Sequence, residues 1–195
     1  MAQILEGSPV PVAVTTGNHD IFATVQPLFN QSFGPGNYGF DVCDARVVML
    51  DTGNGDLATS VEAWLPRLLD PPRDRGDRAR HLLLGTHMAP YWGYTTDGWR
   101  REDQAQLLMA ELVDHGAELV VAGHIHWRGV FDQAPVPEVI VGTGGASQRG
   151  VDPDYGYLRA VFGPRGPVDV CFRSLPAPGS PGPPPSRAPE VCGPR

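Results

Sequence analysis

The chain contains no lysine, and its 15 basic side chains are all arginines. With 22 acidic residues the formal net charge is -7. No basic stripe is present, so nucleic-acid binding is not indicated, and an acidic surface repels phosphate unless cations intervene. No apolar run approaches the roughly 18 residues of a membrane-spanning helix, which excludes a membrane protein of that type. The sequence therefore favours an acidic globular domain.

Cysteine is scarce as well. Cys43, Cys171 and Cys192 are an odd number without Cys-x-x-Cys spacing, which predicts thiols rather than a disulfide framework or a zinc knot. The 195 residues, 41% of them hydrophobic, suit one domain, predicted to span residues 1–174. Residues 175–195 are mostly Pro, Gly, Ser and Ala and are predicted to form a disordered tail. The first residues do not resemble a signal peptide.

Three strand-like apolar runs end in glycine followed by metal-binding residue types. They lead into Gly17-Asn18-His19-Asp20, into Gly85-Thr86-His87 and into Gly123-His124-Ile125-His126. Short continuous apolar runs are typical of buried parallel strands, and ligands of open α/β sheets bind at the carboxyl ends of such strands. We therefore expect Asn18 and four of the six histidines at one rim of a sheet.

Apolar periodicity predicts the other elements. Residues 101–114 carry apolar side chains at i, i+3, i+4 and i+7, which indicates an amphipathic helix capped by Gly116. A second helix is predicted at Thr59, which has capping-box spacing to Glu62. Strands are predicted at residues 10–15, 45–50, 82–84, 119–122, 138–142, 157–162 and 168–172. Residues 29–39, rich in Gly, Asn and Pro, are predicted to be a loop.

The clustered residues suit metal chemistry. Neutral imidazole binds Zn, Fe or Mn, and an asparagine carbonyl is a weaker oxygen ligand. His124 and His126 lie two apart, so in an extended segment both face one way, and two ions roughly 3.5–4 Å apart could each take one. His19 would be free to protonate a leaving group. A lone histidine such as His19 or His87 is more often a loop residue than a ligand, but the joint occurrence of these histidines after three strand-like runs favours ligands.

The ordered trio of motifs, Gly-Asn18-His19-Asp20, Gly-Thr-His87-Met-Ala-Pro90 and Gly-His124-Ile-His126, resembles the calcineurin-like metallophosphoesterases, which include the purple acid phosphatases. The resemblance implies an α/β fold, a four-layer α/β/β/α sandwich, with two divalent or trivalent metal ions (Fe, Mn or Zn) and a phosphoester substrate. It also implies that Asn18, His87 and His124 bind one metal, that His126 binds the other, and that His19 is the acid or transition-state stabiliser.

The chain departs from this family before Gly17. The family's first two motifs, Asp-x-His and Gly-Asp, are absent from the 16 preceding residues, which contain no aspartate or histidine. Asp56 follows a glycine but comes in the wrong order to be the bridging ligand. We expect the chain to be the carboxyl-terminal two-thirds of a phosphoesterase, without the amino-terminal strand and helix. Localisation stays open for the same reason.

Two functions follow from these observations. The first is metal-dependent hydrolysis of phosphate monoesters or diesters, weakened by an incomplete site. The second is a non-catalytic remnant or subunit that binds one metal weakly or pairs with a separate amino-terminal fragment. Tyr91 and Trp92, in an aromatic segment after His87, are candidates for substrate contact, although such aromatics equally suit a small satellite core.

Overall fold

The computed structural model describes residues 7–22, 24–70, 81–91, 98–144, 155–163, 166–175 and 191–192. Within these ranges the chain forms a mixed α/β structure of three helices and nine strands. The helices are α1 (Gln26–Phe33), α2 (Thr59–Leu69) and α3 (Glu102–Asp114). The strands are β1 (Tyr38–Val42), β2 (Ala45–Leu50), β3 (His81–Thr86), β4 (Leu119–Ala122), β5 (Arg128–Phe131), β6 (Glu138–Val141), β7 (Tyr155–Gly163), β8 (Gly166–Leu175) and β9 (Val191–Cys192).

Six strands form one sheet in the order β1-β2-β3-β4-β6-β5. Its centre is parallel, because β2, β3, β4 and β6 run in the same direction, and antiparallel strands close both edges. Leu50 pairs with Thr86, and Thr86 pairs with Ala122. The last residues of β2, β3 and β4 are therefore level, and the segments after them leave from one edge of the sheet.

The main core lies between this sheet and two helices. Helix α2 buries Val61, Leu65, Leu68 and Leu69, and helix α3 buries Leu108, Met109 and Leu112. These side chains cluster with Val48, Leu50, Leu82, Leu84 and Val120 from the central strands. Gly116 ends α3 with a φ of 71°, in the left-handed region that glycine adopts easily. None of the described helices is long and apolar enough to cross a membrane.

Strands β7, β8 and β9 form a second, antiparallel sheet. Cys171 of β8 is disulfide-bonded, so the prediction that the cysteines are thiols is wrong for this residue. Its neighbour across the β8–β9 ladder is Cys192, whereas Cys43 is free and exposed. Sequence spacing did not indicate this bond, because the strands that come together in a sheet are not a local property of the chain. Of the predicted tail, residues 176–190 and 193–195 lie outside the described residues.

The secondary structure corrects two predictions near the amino terminus. Residues 10–15 do not form a strand, since the described residues offer them no ladder partner and Pro11 has no N–H to donate. The predicted loop at residues 29–39 instead contains most of α1, which starts with a proline in its first turn, and the beginning of β1. Helix α2 begins after Ala58 without a side-chain cap, so the capping box at Thr59 is also wrong.

The other predicted elements agree with the structure. β2 and β4 have the predicted bounds, and α3 begins one residue after the predicted start. The α/β class is confirmed. The four-layer arrangement would cover the second face of the six-stranded sheet and stays a prediction. Side chains on that face alternate with the core residues of their strands and are only half-buried, as are Val47, Met49, Leu83 and Val121.

Candidate metal centre at the carboxyl ends of the central strands

His87 directly follows β3, and Gly123 directly follows β4. The backbone N–H of Gly123 donates to the carbonyl oxygen of His87 over 3.0 Å, so the two exits remain in contact beyond the ladder. On the other side, Thr86 and Thr52 share a buried hydroxyl–hydroxyl hydrogen bond of 2.8 Å. The backbone that carries His87 is therefore fixed by both neighbouring segments.

Asn18 contacts His87 from a tight turn. The Oδ1 atom of Asn18 lies 2.9 Å from Nε2 of His87. The turn is closed at both ends, because the carboxylate of Asp20 accepts a hydrogen bond from the N–H of Gly17, and the N–H of Asp20 donates to the carbonyl of Gly17. Asp20 thus has a turn role. The potential ligand atoms of Asn18 and His87 are adjacent although 69 positions separate the residues.

His124 approaches His87 from the third segment. The two imidazole rings meet edge to face with their centroids 5.0 Å apart. His124 has a φ of 61°, a left-handed conformation that few residues other than glycine adopt. Such backbone outliers concentrate at functional sites, where surrounding structure maintains them. The unusual backbone at His124 aims its ring at His87.

The electrostatics at His87 follow from this crowding. Its pKa is lowered from 6.5 to about 4, first by burial and then by the nearby positive charge that His124 would carry. Asp20 acts in the opposite direction, while His19 and His126 lower the pKa further. At neutral pH His87 is therefore an uncharged imidazole, the form that binds metal ions.

Their influence on the pKa of His87 shows that the two remaining predicted site residues lie near it. His19 is exposed and His126 is half-buried, and both lie close enough to His87 to influence its protonation. Within the described ranges, however, no group of three His, Cys, Asp or Glu side chains could hold an ion. The residues in contact are Asn18, His87 and His124. Around His126 the described residues supply no group of three His, Cys, Asp or Glu side chains either.

Tyr91 lies at the edge of the main core. Its ring centroid is 6.2 Å from that of Phe131, and its backbone N–H donates to the carboxylate of Glu138 over 2.8 Å. It therefore packs as a satellite-core residue does. Trp92, the other predicted substrate contact, lies outside the described residues.

Four other acidic and histidine residues considered from the sequence have structural contacts elsewhere. Asp51 accepts a hydrogen bond from the N–H of Gly53, and Asp56 lies near Arg101 at the start of α3. His81 is buried with Nδ1 2.8 Å from a carboxylate oxygen of Glu118. His115 forms a hydrogen bond to the carbonyl of Glu111 in the last turn of α3. None of these contacts joins the set around His87.

Sequence patterns missed two residues that support the site. Glu138 is fully buried in β6, and its carboxylate accepts a hydrogen bond from the backbone N–H of Tyr91, four residues after His87. An acidic residue that opens the apolar run Glu-Val-Ile-Val was the available signal. Gly142, directly after β6, contacts the His124 segment so closely that no side chain fits there. Its only sequence signal was a glycine at a strand end, which is common.

The fold is similar to two solved structures. A purple acid phosphatase, PPD1 from yellow lupin (Lupinus luteus) seeds, aligns with 85% of this chain at 15% identity and a TM-score of 0.59. GAP50, the anchor in the inner membrane complex of Plasmodium, aligns with 78% of this chain at 16% identity and a TM-score of 0.52. At such identities the likeness concerns the fold alone.

The alignments cover 38% of the lupin chain and 57% of the GAP50 chain, so this chain spans less than two thirds of either. No protein-family model matches the sequence, and no curated protein matches it.

Proposed function

We propose that this chain carries part of the active site of a metal-dependent phosphoesterase, which hydrolyses phosphate monoesters or diesters. The observation that carries the proposal is the contact of Asn18 and His87, 2.9 Å apart, with His124 beside them at the ends of parallel strands. The metallophosphoesterase-like fold supports the same reaction class.

The donor set fits one ion. Two ligands at right angles around an ion about 2.1 Å away are about 3.0 Å apart, close to the separation of Asn18 Oδ1 and His87 Nε2. The lowered pKa of His87 keeps its imidazole uncharged at neutral pH. Nε2 donates to Oδ1 of Asn18 in the metal-free chain, so ion binding at Nε2 would move that proton to Nδ1. Fe, Mn and Zn accept such nitrogen and oxygen ligands. A bound ion would supply charge stabilisation on phosphate oxygens and activation of water.

The donor set does not fit a second ion. His126 alone remains for it, and the described residues offer no three-member group of His, Cys, Asp or Glu. We therefore propose one ion held by Asn18, His87 and His124, with His126 available to a second only if further ligands are supplied. Since two-metal hydrolases stabilise both the attacking and the leaving oxygen, turnover by this chain is expected to be slow.

His19 is proposed as the proton donor to the leaving group. It is exposed, immediately follows Asn18 and lies near His87. A group at this position can reach a substrate without taking part in ion binding, as general acid catalysis requires. Tyr91 and Trp92 follow His87 closely in the chain and stay proposed substrate contacts, although the packing of Tyr91 near Phe131 suits a satellite core equally well.

The test is hydrolysis of an aryl phosphate monoester and diester with added Mn²⁺ or Zn²⁺. We expect slow metal-dependent turnover that disappears in His124→Ala and persists in His115→Gln, a matched histidine variant outside the site. A metal-loaded protein with no turnover above a metal blank would contradict the proposal. Turnover that survives His124→Ala would place the activity elsewhere.

The exposed amino-terminal surface favours a second candidate function. Here the chain is a non-catalytic subunit, which pairs with a separate amino-terminal fragment that adds a strand beside residues 10–16. Within the described ranges these residues form no backbone–backbone hydrogen bond, and Val10 and Val12 are 63% and 47% exposed. Helix α1 buries none of its residues, and Leu28 is 63% exposed. The backbone of Val10 and Val14 bonds to side chains instead, those of Ser8 and Tyr38. A segment without ladder partners beside apolar surface is a ready template for another strand.

This second function predicts that the isolated chain self-associates through its exposed apolar surface. We expect self-association in light scattering and binding of a hydrophobic dye, both reduced by Val12→Asp and unchanged by Val113→Asp, a matched exposed valine on α3. A monomeric chain that binds no dye and unfolds in one sharp transition would contradict this second function.

A further inference from the structure

We propose that Gly142 and Gly17 are positioning residues that set the distance between His124 and His87. The inference rests on the proposed function, since it concerns the same ligands. Neither glycine carries a donor atom that could bind substrate or metal through a side chain. Each occupies a point where backbone must approach a ligand segment more closely than any other residue allows.

Gly142 accommodates the histidine segment after β4. A Cβ atom at this position would lie 1.7 Å from the carbonyl oxygen of Ile125, 2.6 Å from its carbonyl carbon and 3.2 Å from the Cα of His126. All three atoms belong to the backbone, so no side-chain rotation relieves the overlap. A side chain at position 142 must displace the segment that carries both His124 and His126.

Backbone hydrogen bonds on both sides of His124 maintain its left-handed conformation. Gly142 donates its N–H to the carbonyl of Trp127 over 2.9 Å and so fastens the segment at its far end. The N–H of Ile125 donates to the carbonyl of Gly123 over 2.7 Å, on the other side of His124. Ile125 itself is buried in a small cluster with Ala89, Ala122 and Ile140. His124 is thus held between two fixed neighbours.

Gly17 accommodates the other ring. A Cβ atom there would lie 2.9 Å from both Cε1 and Nδ1 of His87. The His87 ring is packed against the bare backbone of the turn that presents Asn18. A methyl group would push the ring away from Asn18, but the clash is with a side chain that can rotate, so the fold should survive.

The experiment compares Gly142→Ala and Gly17→Ala with Gly144→Ala. Gly144 is a matched control in the same segment, because a Cβ there would meet nothing within 4 Å. The probe is Zn²⁺ binding by calorimetry, together with the nuclear Overhauser effect between the His87 and His124 ring protons in the metal-free protein. Thermal unfolding measures the structural effect separately.

We expect Zn²⁺ affinity to fall at least about tenfold in both test variants, the range seen when residues that orient metal ligands are removed. We expect the ring-to-ring Overhauser effect to weaken in the same two proteins and to persist in Gly144→Ala. Unchanged affinity and an unchanged ring contact in folded Gly142→Ala and Gly17→Ala would overturn the inference. If Gly142→Ala does not fold, Gly17→Ala decides.

The result is separable from that of the proposed function. If the wild-type chain binds no Zn²⁺ or hydrolyses no phosphate ester, the phosphoesterase proposal fails, while the ring contact still reports positioning. If hydrolysis is found but both glycine variants keep the ring contact and the affinity, only the positioning inference fails.

Discussion

The histidine side of the site, carried by the ends of β3 and β4, and the asparagine side are anchored in different ways. His87 follows β3, an interior strand with ladder partners on both sides. Asn18 follows residues 10–16, which are attached to β1 through the hydroxyl of Tyr38 and to the carbonyl of Gly36 through Thr15. The sheet therefore presets the histidine side of the site, whereas a few side-chain hydrogen bonds position the asparagine side.

The core beneath the histidine side should give the largest effect. Leu84, in β3 three residues before His87, is 1% exposed. Leu84→Ala removes buried methyl groups and leaves a cavity, so the free energy of unfolding should fall by about 2–5 kcal/mol. Leu28→Ala, on the exposed α1, should change it by less than about 0.5 kcal/mol. Urea unfolding measures both, and equal losses would remove the contrast between the two sides of the site.

Metal affinity should be the next largest effect. His124→Ala removes a nitrogen ligand, and we expect Zn²⁺ affinity to fall by at least the roughly 10- to 100-fold lost when a residue that only orients a ligand is removed, equivalent to about 1.4–2.7 kcal/mol or more. Asn18→Ala should cost less, because an amide oxygen is the weaker ligand. Calorimetry on both variants compares the loss of Zn²⁺ affinity on the histidine side with the loss on the asparagine side. A greater loss for Asn18→Ala would reverse the proposed order.

The sequence predicted the histidine side better than the asparagine side for a physical reason. β2 and β4 are continuous apolar runs buried by their neighbours, so their bounds are encoded locally. Residues 10–15 have an equally apolar pattern, but a strand also needs a partner, which a local pattern does not report. The left-handed φ of His124 is likewise missed, because it depends on room left by Gly142, a residue 18 positions further on.

Stability should depend on pH through His87. Its pKa is about 4 in the folded chain against an ordinary 6.5, so between these values the unfolded state binds more protons. The free energy of unfolding should therefore fall as pH decreases from 6.5 to about 4, by at most about 3.4 kcal/mol and by less where solvent screens the ring. Denaturant unfolding at several pH values should show this slope, and His87→Gln should flatten it. An identical slope in the variant would assign the dependence to other groups.

The smallest effect should come from the hydroxyl that attaches the asparagine side to β1. Tyr38 donates its O–H to the carbonyl of Val14 over 2.7 Å and accepts the N–H of Val14 over 2.8 Å, in place of a strand neighbour. Tyr38→Phe removes both bonds, and each is worth about 0.5–1.5 kcal/mol when buried. Because Val14 is only half-buried, water can replace part of that energy, and we expect the free energy of unfolding to fall by about 1 kcal/mol.

The local consequence of Tyr38→Phe should exceed the global one. Without the hydroxyl, the segment before Asn18 loses its attachment to β1, so amide exchange at Val14 should accelerate and the Asn18–His87 contact should open more often. Tyr157→Phe is the matched control, since that side chain is 50% exposed on β7. Hydrogen exchange followed by NMR measures both variants. Equal protection of Val14 in both would mean that Tyr38 does not hold the segment, and the contrast between the two sides of the site would need another cause.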